Sequence, residues 1–111
     1  MNAWLLLAVG IVFEVTGTTF MKLSNGFSHA GYALGCLACF GMALAFIAMA
    51  MRSLEIGVVY AIWSGSGVVL ISVIGLVFFQ ETLGWLRLFF ILLIVTGVAG
   101  LFLFTEARPS A

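Results

Sequence analysis

Charge is the scarcest property of this chain: its 111 residues include four basic and four acidic side chains, 7% in all. Soluble domains carry about 25% charged residues, and so few charges cannot cover the apolar surface of a sphere of this size. The scarcity excludes a soluble enzyme, a disordered tail and a nucleic-acid binder built on a basic patch. Proline is nearly absent too. The single one, Pro109, lies in the tail, so no helix carries a proline kink. Cysteine and histidine are as sparse, with only Cys36 and Cys39, three apart in an apolar run, and His29. A metal centre needs more ligands than these. No metal or cofactor is therefore expected, and the cysteines read as small core residues on one helix face. The N-terminus lacks the basic side chain of a cleavable signal, and the apolar stretch behind it contains Glu14. That first segment is expected to stay in the mature protein.

What the chain has in abundance is hydrocarbon, with 65% of its residues hydrophobic. A helix crossing about 30 Å of bilayer core needs about 20 residues at about 1.5 Å each. Polar punctuation cuts the chain into four such lengths. The expected spans are 3–21, closed by Lys22; 30–51, closed by Arg52; 56–79, opened by Glu55; and 85–104. Ser24-Asn25-Gly26 and the stretch from Gln80 to Gly84 read as turns. Trp4 and Trp85 mark span ends, where indole favours the interface. The expected fold is an all-α membrane protein: one four-helix transmembrane domain over 1–111, with a short polar tail at 105–111. The loops are too short to fold alone, so the chemistry must lie within the helices.

With four spans the termini and the middle loop share one side, which carries Arg52 and Arg108, while the other carries Lys22 and Arg87. Two against two leaves the positive-inside rule almost nothing to act on. Four helices are also too few to form two halves rocking about a central site. Two copies inserted in opposite senses supply that inverted symmetry. An antiparallel homodimer, an eight-helix bundle in the lipid, is therefore expected.

Glu14 lies about eleven residues into the first span, about 16 Å deep and close to the midplane. A charge there costs from about 2.5 to over 10 kcal/mol, which by default argues for function. Leu7, Gly10, Ile11, Gly17, Thr18 and Met21 share its face at helical spacing. Gly10 and Gly17 are expected to leave room around the acid, and Thr18 offers a hydroxyl. No basic residue lies at comparable depth, so the partner of an ionised Glu14 is a cation that comes and goes. Burial favours the protonated acid. Proton and cation then compete for the same oxygens, and that competition couples their opposed movements.

In the third span Tyr60 and Trp63 share a face, and Trp63 falls about 10 Å deep, within about a turn of Glu14. Aromatic faces with a carboxylate form a receptor for quaternary ammonium groups. Gly65 and Gly67, one turn further on, are the candidate bend. Gly31 and Gly35 on the second span are a small-residue contact face, as are Thr96, Gly97 and Gly100 on the fourth. The fourth span lacks residues suited to binding and is assigned to dimer contact.

Glu14-Val15-Thr16-Gly17-Thr18-Thr19, then Lys22, Gly26-Phe27 and Tyr60-Ala61-Ile62-Trp63-Ser64-Gly65, resembles the small multidrug resistance transporters over nearly the whole chain. Gly17-Thr18-Thr19 after the membrane glutamate is similar to the quaternary-ammonium subtype; the guanidinium-exporting subtype has a tryptophan-containing segment there. The resemblance implies a bacterial inner-membrane antiporter, not an enzyme, that exports lipophilic and aromatic cations in exchange for protons. It also implies an antiparallel dimer with both copies of Glu14 in one site, a pocket built by the first three helices, a bend at Gly65–Gly67 and a fourth helix that holds the dimer. The candidate substrate-binding residues are then Leu7, Gly10, Ile11, Gly17, Thr18, Phe40, Leu44, Tyr60, Trp63 and Ser64, with Glu14 holding proton or cation. Phe40 stands where the subtype often has a tyrosine, and Leu44 with Ala45 fills a stretch that is often more aromatic, so a more apolar pocket is expected. The rival readings are a guanidinium or guanylurea exporter, a proton-carrying ring subunit of a rotary ATPase, and a non-transporting assembly partner. Tyr60 and Trp63 beside a carboxylate disfavour the ring subunit, and Glu14 disfavours a purely structural role.

Overall fold

The computed structural model describes residues 2–105. Glu106, Arg108 and Pro109 lie outside the described residues, and with them most of the expected tail and one cation of the orientation tally. The chain forms four α-helices, α1 (Ala3–Leu23), α2 (Ala30–Ala50), α3 (Ile56–Phe78) and α4 (Trp85–Leu103), with no strand among the described residues. Each is long and apolar enough to cross a bilayer. The bounds match the expected spans to within two residues, α1 running on through Lys22 to Leu23.

Local chemistry sets the ends. The Asn2 side chain accepts the Trp4 backbone N–H at 2.8 Å and caps α1. After α1 the chain turns on three successive left-handed residues, Asn25, Gly26 and Phe27, at φ 50°, 71° and 67°. Glycine adopts that conformation freely, whereas phenylalanine does so only under constraint. The constraint comes from Ser24, which is wholly buried. Its hydroxyl donates to the Met21 carbonyl at 2.7 Å and accepts the Phe27 N–H at 3.0 Å. Its carbonyl accepts the His29 N–H at 3.0 Å. The α3–α4 turn is pinned by the Gly75 carbonyl, which accepts the N–H groups of Phe79 at 3.2 Å and Glu81 at 3.0 Å.

The helices pack in the lateral order α2, α1, α3, α4. Glycine allows the close α1–α2 approach: a Cβ at Gly10 would lie 2.7 Å from Ile47 Cγ1, and one at Gly17 would lie 3.0 Å from Phe40 Cδ1. Leu6, Leu7, Ile11 and Val15 meet Ala43, Ile47, Val59 and Ile62 in the buried core. Phe13 stacks on Phe46 at 5.8 Å. Cys36 is fully buried in α2 and Cys39 is half-buried against Gly17, as small core residues should be. On the far side Gly65 of α3 receives Val98 of α4, and the Trp4 ring meets Phe102 edge-on at 4.8 Å. No residue of α4 is buried. The protomer is a slab of 42 × 35 × 17 Å, less than two helix diameters thick at about 10 Å each.

Candidate cation-binding site

Two helices that run the same way, α1 and α3, frame a cleft of about 300 Å³ on one face of the slab. Glu14 and Thr18 line it from α1, and Tyr60, Trp63, Ser64, Gly67, Val68 and Ile71 from α3. The α3 residues recur every three or four positions, which is one stripe of a helix. Glu14, Thr18, Tyr60, Trp63 and Ser64 were each candidates from the sequence, and the fold brings them together. Tyr60 and Trp63 meet edge to face at 5.8 Å and 70°. Ser64 turns its hydroxyl back to the Tyr60 carbonyl at 2.7 Å, so that proton is already committed.

The two oxygens of Glu14 have different surroundings. Oε1 accepts the Thr18 hydroxyl at 2.9 Å. Oε2 is buried and has no hydrogen-bond partner. It faces Gly67, where a Cβ would approach to 3.0 Å. Gly67 thus gives headroom over the carboxylate, a role distinct from the bend read from sequence. Gly65 takes Val98 instead, and α3 continues as a helix through both positions. Among the described residues the one ion pair joins Lys22 to Glu81 at 3.5 Å, well away from Glu14 along α1. A buried, unpartnered carboxylate oxygen is costly in low dielectric until a proton or a cation satisfies it.

The remaining candidates are placed elsewhere in the protomer. Leu7 and Ile11 are in the core, Gly10 faces Ile47, and Gly17 faces Phe40 and Cys39. The room around the acid therefore comes from α3 and not from Gly10 and Gly17, because those two positions are filled by α2. Phe40 packs on Gly17 and Leu44 is exposed, both on α2 and outside the cleft lining. Thr96 and Gly97 are exposed on α4 and Gly100 half-exposed; a Cβ at either glycine would meet nothing. Val68, Ile71 and the headroom at Gly67 went unnamed in the sequence reading, although the stripe through Tyr60, Trp63, Gly67 and Ile71 would have found them.

The Small Multidrug Resistance protein family matches residues 2–94. The chain belongs to that family. It is 36% identical to the quaternary ammonium compound-resistance protein QacF of Klebsiella aerogenes over 96% of each chain. It is 35% identical to the multidrug transporter EmrE of Escherichia coli (strain K12), over 98% of this chain and 99% of that one. The membrane protein YvaE of Bacillus subtilis (strain 168) is 42% identical over 96% of this chain and 90% of its own length. With four spanning helices and these relatives, this Small Multidrug Resistance protein is a bacterial multi-pass membrane protein.

Proposed function

We propose that the protein is a proton-coupled exporter of lipophilic and quaternary ammonium cations. The observation that carries the reading is Glu14 Oε2, buried and unpartnered at the wall of a cleft edged by Tyr60 and Trp63. The oxygen accepts a proton or lies against an organic cation, whose apolar surface and charge suit the two aromatic rings. Because one occupant excludes the other, a cation leaving on one side of the membrane is replaced by a proton on that side. The QacF and EmrE relatives, named for quaternary ammonium resistance and multidrug transport, support this substrate class over guanidinium.

The working unit we propose is an antiparallel homodimer in the bacterial inner membrane. The cleft opens on one face of a slab 17 Å thick, and a cationic guest there would be set against lipid. A second, inverted copy laid on that face encloses the guest and brings a second Glu14 to it. Helix α4, with no buried residue, is left free for contact with the partner copy.

The test is uptake into proteoliposomes holding this protein alone, driven by a pH gradient. Tetraphenylphosphonium accumulates with the parent protein and does not with Glu14→Gln. Accumulation that survives Glu14→Gln rejects the exchange mechanism, and transport of guanidinium alone moves the protein to the guanidinium-exporting subtype.

A further inference from the structure

A second cavity, of about 130 Å³, continues the α1–α3 cleft toward the loops. It shares Thr18 and Ile71 with the larger cleft and is otherwise lined by Thr19, Lys22, Ile74, Gly75, Phe79 and Glu81. Lys22 and Glu81 close its outer end as an ion pair at 3.5 Å, each about half exposed to solvent. The Lys22 ammonium also lies 5.9 Å from the Phe79 ring centre. The Glu81 carboxylate is held over Gly75, where any side chain would collide with it. Its backbone N–H is fixed to the Gly75 carbonyl at 3.0 Å.

We infer that protons reach Glu14 by this route, from Glu81 through the small cavity and Thr18, separately from the opening used by organic cations. The inference rests on the proposed exchange of proton and cation at Glu14. Size separates the two travellers. A volume of this order holds about four waters at about 30 Å³ each, whereas sites for drug-sized ligands run from about 300 Å³ upward. An organic cation would in addition meet the Lys22 ammonium at the mouth. A proton needs only a chain of oxygens. Thr18 lies one turn of α1, about 6 Å, from Lys22, and its hydroxyl is bonded to Glu14 Oε1 at 2.9 Å.

The transfer balances bond for bond. A hydronium ion at the mouth first protonates the Glu81 carboxylate, leaving water and loosening the pair with Lys22; that O–H then breaks as its proton passes to a water oxygen in the cavity. The last water donates to Thr18 Oγ1 while Thr18's own proton moves to Glu14 Oε1, and Glu81 returns to the carboxylate paired with Lys22. Lys22 from α1 and Glu81 from the α3–α4 loop are the charged groups at the cavity. Arg87 of α4 donates instead to the Thr82 carbonyl at 3.4 Å. In an antiparallel pair each face of the membrane would carry one such inlet.

The test uses the full chain in proteoliposomes with tetraphenylphosphonium as probe. It reads equilibrium affinity at fixed pH, the rate of proton release on binding, and uptake driven by a pH gradient. Glu81→Gln is expected to keep the affinity within about twofold, which also shows that it folds, while proton release and driven uptake slow by about tenfold or more. Formate or imidazole, small enough to deliver protons, should restore the rate. Glu81→Asp and Lys22→Met, which keep a carboxylate at the mouth, should retain most of it, and Gly75→Ala, which displaces that carboxylate, should not. An unchanged rate in Glu81→Gln overturns the route. A slowed rate that no weak acid restores also overturns it, making the ion pair a structural clasp. If the parent protein shows no pH-driven uptake, or Glu14→Gln retains it, the exchange reading itself has failed rather than this route.

Discussion

At the scale of single residues, the proposed function turns on one carboxylate with two unlike oxygens. Thr18 donates to Oε1 at 2.9 Å. Thr18→Val removes that bond and leaves neither oxygen of the carboxylate with a hydrogen-bond partner. Tetraphenylphosphonium should therefore bind about threefold or more weakly at fixed pH, because the carboxylate is no longer held in place, as equilibrium binding would read directly. Gly67 guards the other oxygen. A methyl group there would stand 3.0 Å from Oε2, in the space from which the charge of the proposed guest would approach. Gly67→Ala should weaken tetraphenylphosphonium binding by about tenfold, or about 1.4 kcal/mol, measured by equilibrium titration, with the helical content unchanged. Glu14 stood out in the sequence because a charge at that depth is costly and by default argues for function. Gly67 was not, since a glycine in a helix looks the same whether it bends the backbone, seats a neighbour or clears space for a ligand.

At the scale of elements, the four helices follow from run length and punctuation, and both helix number and bounds were readable to within two residues. Which way each face turns was not. One stripe of α1 carried Leu7, Gly10, Ile11, Glu14, Gly17 and Thr18, yet it divides between two neighbours. Gly10 and Gly17 go to α2, while Glu14 and Thr18 go to the α3 side. All helices here are apolar nearly all round, so the amphipathic contrast that orients a helix in a soluble protein is missing. The glycine seam gives a prediction about stability. Gly10→Val forces a branched side chain into the space of Ile47 and the Ala43 carbonyl. The variant should lose about 1–3 kcal/mol to overpacking, seen as a lowered midpoint of thermal unfolding in detergent. Ile47→Ala on that background should recover part of the loss, a coupling that a double-mutant cycle measures.

At the scale of the whole molecule, a protomer this thin leaves its cleft open along one face, and the proposed antiparallel pair supplies the missing wall. The described cations divide as Lys22 and Arg87 at one end against Arg52 at the other. With so slight a bias, a few added charges should decide the outcome. Variants carrying two extra lysines at the end that holds Lys22 and Arg87, or two at the end that holds Arg52, should each insert in one sense only. Each alone should lose proton-driven uptake to near background, and the two expressed together should recover it. Reporter fusions at the C-terminus read the orientation, and the same proteoliposome assay reads the activity. Full activity of a variant fixed in a single orientation would contradict the antiparallel unit.

From its sequence alone this protein is determined to be a bundle of four spanning helices around one membrane acid, because bilayer thickness sets helix length and hydrocarbon tolerates no idle charge. Tertiary structure alone decided which oxygen of that acid is left bare, that Gly67 and not Gly10 or Gly17 makes its room, and that Glu81 closes a second cavity beside it. The physical reason is that these are contacts between helices. Lipid and protein are equally apolar, so nothing in the pattern of one helix specifies which neighbour its small residues will meet.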